Sequence, residues 1–211
     1  MNDFFGGPPV RNATVGATIS AADNRAVNNK TTDNSKQTTA IPPTLLRSSI
    51  AGKYTLRLAT PDEYDAIGDA LFAAFHDGCW VTEHYGAGLK QVAQMAASAH
   101  VWGIFDSSNV AQAAVLTPKP EDYHETNYTF NKLGVAPWGR GHGFGRILVN
   151  HSLALARAYG YRTVELHSSP QMTAAHRLYY SCGFHRRSDW ETIIVDQGQR
   201  LLTFTHTDYD R

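Results

Sequence analysis

Cysteine is scarce: Cys79 and Cys182 are the only two in 211 residues. They can form one bridge at most, so no disulfide scaffold is available, and two free thiols in a reducing cytoplasm is the simpler reading. An excess of either charge is also missing, since 19 basic residues face 19 acidic ones. No basic stripe recommends nucleic acid, and no polybasic helix recommends a membrane surface. No apolar run approaches the length of a membrane span. The start, Met1-Asn2-Asp3-Phe4-Phe5, lacks the basic and long apolar regions of a secretory signal. There are ten histidines, yet no pair has ligand-like spacing on one helix, which argues against a metal centre. No internal repeat is present.

Apolar periodicity is absent from residues 1 to 50, which are rich in Asn, Thr, Ser and Ala. They bury too little apolar surface to offset chain entropy, so a disordered N-terminal tail is expected there. Residues 51 to 211 are long enough for one domain with a substantial core.

Tyr54 to Ala59 alternates as a strand does. Thr60-Pro61-Asp62-Glu63 then combines an N-cap threonine, proline at the first helical position and glutamate for a capping box. Ile67, Leu71, Ala74 and Phe75 share one face of the helix that follows. A loop containing Gly78, Gly86 and Gly88 leads to a second expected helix, 89 to 100. Strands are predicted at 101–105, 110–116, 128–135 and 163–167, with helices from about 144 and over 172–181. Thr192 to Val195 and Leu201 to Thr205 are predicted to close as an antiparallel pair around Asp196-Gln197-Gly198. The order β-α-α-β-β-β-α-β-α-β-β describes a mixed α/β layer fold.

The strongest chemical signal is Arg140-Gly141-His142-Gly143-Phe144-Gly145, between a strand and a helix. Glycines there let an anion approach the backbone closely. The helix start adds unpaired N–H groups and a positive dipole end. Arginine adds a forked cation suited to phosphate. Spacing narrows the ligand. The loop has no Gly-Lys pair, so it is not a Walker loop. A G-x-G-x-x-G fingerprint fails in both registers, because Phe144 and Arg146 stand where its last glycine belongs. Gly139, Gly141 and Gly143 spell G-x-G-x-G, which a methyltransferase could use with Glu165. However, too little chain follows the loop for the rest of a doubly wound sheet.

What remains is R-x-x-G-x-G, met by Arg140, Gly143 and Gly145. In this respect the chain resembles the GNAT acetyltransferase superfamily from residue 54 to 211, most densely between Leu133 and Phe184. The resemblance implies a mixed, mostly antiparallel sheet flanked by helices. It also implies that the loop, Arg140 through Arg146, holds the pyrophosphate of acetyl-CoA. Family members often dimerise, which leaves a homodimer open.

Tyr128 and Phe130 have one parity along their strand, and Leu133 and Val135 the other. Either they face opposite sides of a strand buried on both faces, or a bulge near Asn131-Lys132 resets the register. By resemblance there is a bulge, Leu133 and Val135 contact the pantetheine arm, and a nearby N–H polarises the thioester. A second cluster, Ala175, Leu178, Tyr179, Gly183 and Phe184, matches the family pattern A-x-x-L-Y-x-x-x-G-F. The resemblance makes Tyr179 the group that protonates the leaving thiolate, while a lone tyrosine would otherwise read as a core aromatic. One departure is Met172, where many relatives carry a cofactor-binding asparagine.

Together these features imply acetyl transfer from acetyl-CoA to a primary amine of a small molecule or peptide. Candidate bases for that amine are Glu83, His84, His124, Glu125 and His167, each also readable as a solvated residue. A non-catalytic coenzyme A-binding module and the methyltransferase are the competing readings.

Overall fold

The computed structural model describes residues 40–78, 82–195 and 198–208. In chain order these form α1 (Pro43–Leu46), β1 (Arg47–Ile50), β2 (Tyr54–Leu58), α2 (Tyr64–Gly78), α3 (Glu83–Leu89), α4 (Val92–Met95), β3 (Ala99–Asp106) and β4 (Ala111–Pro118). There follow β5 (Tyr128–Thr129), β6 (Asn131–Val135), α5 (Phe144–Ala158), β7 (Thr163–Ser168) and α6 (Thr173–Ser181). The chain closes with β8 (His185–Arg186), β9 (Ile194–Val195), β10 (Gln199–Arg200) and β11 (Leu202–Thr207). Among the described residues no helix is long and apolar enough to cross a membrane.

Two main sheets result. An antiparallel sheet runs β1-β2-β3-β4-β6, and a second runs β5-β7-β11-β8, with β5 and β7 parallel. Strand alternation gives each face its own core. Trp102, Ile104, Ala113 and Val115 join Leu148, Leu155, Tyr179 and Phe184 on the side of α5 and α6. Val101, Phe105, Ala114 and Leu116 join Ile67, Leu71 and Phe75 on the side of α2. Gly134 lets α2 lie hard against β6, because a Cβ there would stand 3.0 Å from that of Ala74.

Helix α2 starts as its sequence predicts. Glu63 accepts from the Thr60 N–H at 2.9 Å and completes a capping box. Arg57 donates to both Glu63 oxygens at 2.7 Å, and Asn109 Nδ2 donates at 2.7 Å. These bonds hold the Glu63 carboxyl far below the usual carboxylate range, the Arg57 guanidinium contributing most.

The bulge is present. Ala114 faces Gly134 while Leu116 faces Asn131, so β6 carries one extra residue over that interval. Lys132 absorbs it at φ +52°. Tyr128, Phe130, Leu133 and Val135 therefore all turn to the same core. The break also changes partners. Before it, Tyr128 and Thr129 pair with Val164 and Glu165; after it, among the described residues, the strand pairs only with β4.

Three expectations are corrected. The folded part begins before residue 50, because β1 pairs along β2, and Ile41, Leu45 and Ile50 pack on the core. Residues 1–39 lie outside the described set. The helix expected over 89–100 is instead α3 and α4. Thr82 caps α3 early by accepting from the Tyr85 N–H at 3.2 Å, and burial of Leu89 and Val92 outweighs the low helix propensity of Gly86 and Gly88. The strand expected over 201–205 meets 192–195 at its start, where Leu201 N–H donates to the Ile193 carbonyl at 3.0 Å. Main-chain bonds instead place β11 between β7 and β8, and β9 pairs with β10. Asp196 and Gln197 lie outside the described residues.

His151 on α5 gives the fold a pH dependence. Its ring packs edge-on against Trp102, centroids 4.2 Å apart, and its Nε2 is buried with no partner among the described residues. Burial pushes its pKa from 6.5 down to about 4. The folded value lies below the unfolded one, so stability is full above pH 6.5 and falls as pH drops towards 4. Urea unfolding should show about 2–3 kcal/mol lost between pH 7.5 and 4.5 on this account. His151→Leu should flatten that part of the curve, and an unchanged slope in the variant would assign the loss to other groups.

Candidate functional site

The glycine loop is anchored before it opens. Ala136 N–H donates to the Gln112 carbonyl at 3.0 Å, and Trp138 Nε1 donates to the Ala111 carbonyl at 2.9 Å. A Cβ at Gly139 would stand 2.5 Å from the Gln112 carbonyl oxygen. The loop base is thus tied to β4.

Beyond it, Gly141 and Gly143 take φ of 82° and 74°, and no atom lies within 4 Å of where a Cβ would stand on either. Gly143 precedes α5 without a side-chain cap. Among the described residues, no backbone N–H from Gly141 through Arg146 has a protein acceptor. Six successive donors at a helix start, with open space above two of the glycines, suit an anion.

The loop side chains are mostly engaged elsewhere. Arg140 pairs with Asp77, both well exposed. His142 Nδ1 donates to the Arg140 carbonyl at 2.9 Å, and its ring stacks on Phe144. Phe144 is buried in the core. Arg146 donates to the Ser181 carbonyl and hydroxyl, each at 3.0 Å, and so ties α5 to the end of α6. What the loop offers a ligand is mainly its backbone.

Next to the loop the two sheets part. Among the described residues one edge of β6 has no strand on it, and β7 loses its neighbour on that side after Glu165. Exposed strand edges carry unpaired N–H and C=O groups that an extended, amide-bearing chain can use. Leu133 and Val135 lie along the β6 edge, their side chains partly buried against the α5 and α6 core. Tyr179 lies in that core, 5% exposed, with ring centroids 6.4 Å from Phe130, 5.9 Å from Phe184 and 5.6 Å from Phe204. Gly183 at φ +85° ends α6, and Phe184 N–H bonds back to the Tyr179 carbonyl at 3.0 Å.

The candidate bases do not converge. Glu83 and His84 are exposed on α3, and His124 and Glu125 are exposed in the segment before β5. His167 is different. Its Nε2 lies 3.3 Å from Glu165 Oε1, and its Nδ1 lies 3.1 Å from Thr203 Oγ1. Asn127 Nδ2 donates to Glu165 at 2.7 Å. His167 and Asn127 thereby hold the Glu165 carboxyl below its usual range, the histidine contributing most. Sequence spacing, i and i+2 on one strand, was the available signal for this pair. Lys132 is named by its sequence only as a bulge position, although a lysine at a parity break between apolar residues also marks its amine.

A model of the Acetyltransferase (GNAT) family matches residues 60–184. The chain belongs to the GNAT acetyltransferase family. Solved GNAT structures share its fold at low identity. A GNAT acetyltransferase from Staphylococcus aureus Mu50 is 9% identical over 73% of this chain and 98% of its own, with TM-score 0.59. Ribosomal-protein-S5-alanine acetyltransferase from Vibrio fischeri is 13% identical over 78% and 97%, with TM-score 0.59. Spermidine N-acetyltransferase from Vibrio cholerae, in complex with CoA and spermine, is 17% identical over 74% and 96%, with TM-score 0.53. No curated protein matches the chain.

Gly143→Ala tests the loop directly. The left-handed backbone should cost about 1–2 kcal/mol in a urea titration, since the space itself is free. Affinity for a pyrophosphate ligand should fall well beyond what that loss explains, which calorimetry on the folded variant measures.

Proposed function

We propose that this GNAT protein transfers an acetyl group from acetyl-CoA to a primary amine by direct attack. The observation that carries this reading is the run of open N–H groups from Gly141 to Arg146 beside the unpaired edge of β6. The loop amides would hold the pyrophosphate, with Arg140 able to add charge by leaving its exposed pair with Asp77. Leu133 and Val135 would line the pantetheine arm, and their strand edge would bond its amides. Acetyl-CoA supplies an acyl group already activated as a thioester.

The chain's own residues have three tasks. Backbone N–H groups near the bulge stabilise negative charge on the carbonyl oxygen. Tyr179 supplies a proton to the departing sulfur. His167 and Glu165 stand on β7 where β5 leaves it, and they are the best-formed acid–base pair for the attacking amine. Acceptors in the class of small amines or peptide amines fit the activities of the spermidine and ribosomal-protein acetyltransferases of similar fold.

A coenzyme A-binding module without catalysis draws on Met172, whose side chain packs with the α2-side core. The methyltransferase reading loses support, because the sheets are mostly antiparallel.

Thermal shift with coenzyme A, acetyl-CoA, S-adenosylmethionine and NAD separates these readings. Stabilisation by both coenzyme A species is expected, and stabilisation by S-adenosylmethionine alone would overturn the proposal. For Tyr179→Phe, thiol release in the presence of an amine should fall at least tenfold, in line with the usual worth of a general acid. Acetyl-CoA affinity should stay nearly unchanged, because the ring still fills the same aromatic cluster. Equal turnover in the variant would remove Tyr179 from this role and leave it a core aromatic.

A further inference from the structure

Lys132 stands at the break between β5 and β6. Its φ of +52° is a conformation that lysine keeps only under tertiary constraint. Gly134, two residues on, faces α2, and Lys132 turns to the same side. Its Nζ lies 4.0 Å from the centre of the Tyr85 ring on α3. Among the described residues no carboxylate pairs with it, so the cation rests on a π face alone.

Two consequences follow. Burial lowers its pKa from 10.5 to about 8, so roughly one amine in ten is neutral at pH 7. An ordinary lysine has fewer than about one in a thousand neutral at that pH. The second consequence is positional. The next residue, Leu133, lies on the open edge of β6 where the proposal above puts the acyl donor. Lys132 thus stands one residue before that edge, with its amine on the side of α2 and α3.

We infer that Lys132 is itself an acetyl acceptor, so that the protein modifies its own lysine at the mouth of the strand split. This rests on the acetyl-CoA reading. The neutral Nζ attacks the thioester carbonyl carbon; a C–N bond forms and the C–S bond breaks. Sulfur leaves with the bonding electron pair and takes up the proton that nitrogen gives up. The products are acetyl-lysine at 132 and free coenzyme A, with no further reactant. Modification removes the charge above Tyr85 and the contact that ties β6 to α3.

The test is to incubate the full chain with acetyl-CoA and no amine, then follow intact mass and map the modified peptide. One added acetyl group is expected, at Lys132, ahead of the exposed Lys53 and Lys90. Lys132→Arg should abolish that addition while coenzyme A still stabilises the variant in a thermal shift, which shows it folded. Stabilisation of the native protein by coenzyme A with Lys132 unmodified overturns the inference and leaves the donor reading standing. Equal labelling of Lys53, Lys90 and Lys132 also overturns it, since that is the pattern of uncatalysed acetylation. No stabilisation by coenzyme A overturns both readings together.

Discussion

One extra residue in one strand is the constraint on which the site depends. A period-two strand from Tyr128 to Val135 would put half of its apolar residues on the wrong face. The bulge at Lys132 lets Tyr128, Phe130, Leu133 and Val135 all reach one core. The same irregularity detaches the strand from β7 after Thr129 and hands it to β4. Correct burial of four side chains and the opening between two sheets are thus one structural event. The left-handed lysine costs energy locally, and the burial of large apolar residues on both sides offsets it.

Around that opening the groups left without partners among the described residues are mainly peptide groups. The loop's arginines and aromatic are largely engaged with the protein: Arg146 with the end of α6, Phe144 with the core, Arg140 with an exposed aspartate. Under the acetyl-CoA proposal, backbone donors would serve an anion well here, because the anchored turn at Gly139 fixes them before any ligand arrives, which lowers the ordering cost of binding. Side-chain contacts then stabilise the scaffold, as Arg146 does by joining α5 to α6.

Local chemistry made much of this legible in advance. The Thr60 to Glu63 box, the Gly183 cap and the glycine loop are short-range devices whose residue types force their geometry, and each is present. Errors fell where long-range forces compete with local ones. Gly86 and Gly88 argue for a loop, yet Thr82 and the burial of Leu89 make a helix. Residues 43–50 look like tail by composition, yet β2 offers them a ladder to join. Strand β11 shows no sign in its own residues that its partners are β7 and β8, because main-chain hydrogen bonds are the same for any partner.

By itself the sequence determined the periodicities, the caps, the glycine loop and the parity conflict that requires either a bulge or burial on both faces. Each of these depends on residues within a few positions of one another, where sterics and hydrogen-bonding capacity leave few choices. Only the tertiary structure decided that the conflict resolves as a bulge, that the strand changes sheets there, and that Glu165, His167 and Thr203 meet. It also decided that Lys132 lies over Tyr85 with no acidic partner among the described residues. Those outcomes depend on which distant segments bury one another, and the number of such pairings is far larger than local patterns can restrict.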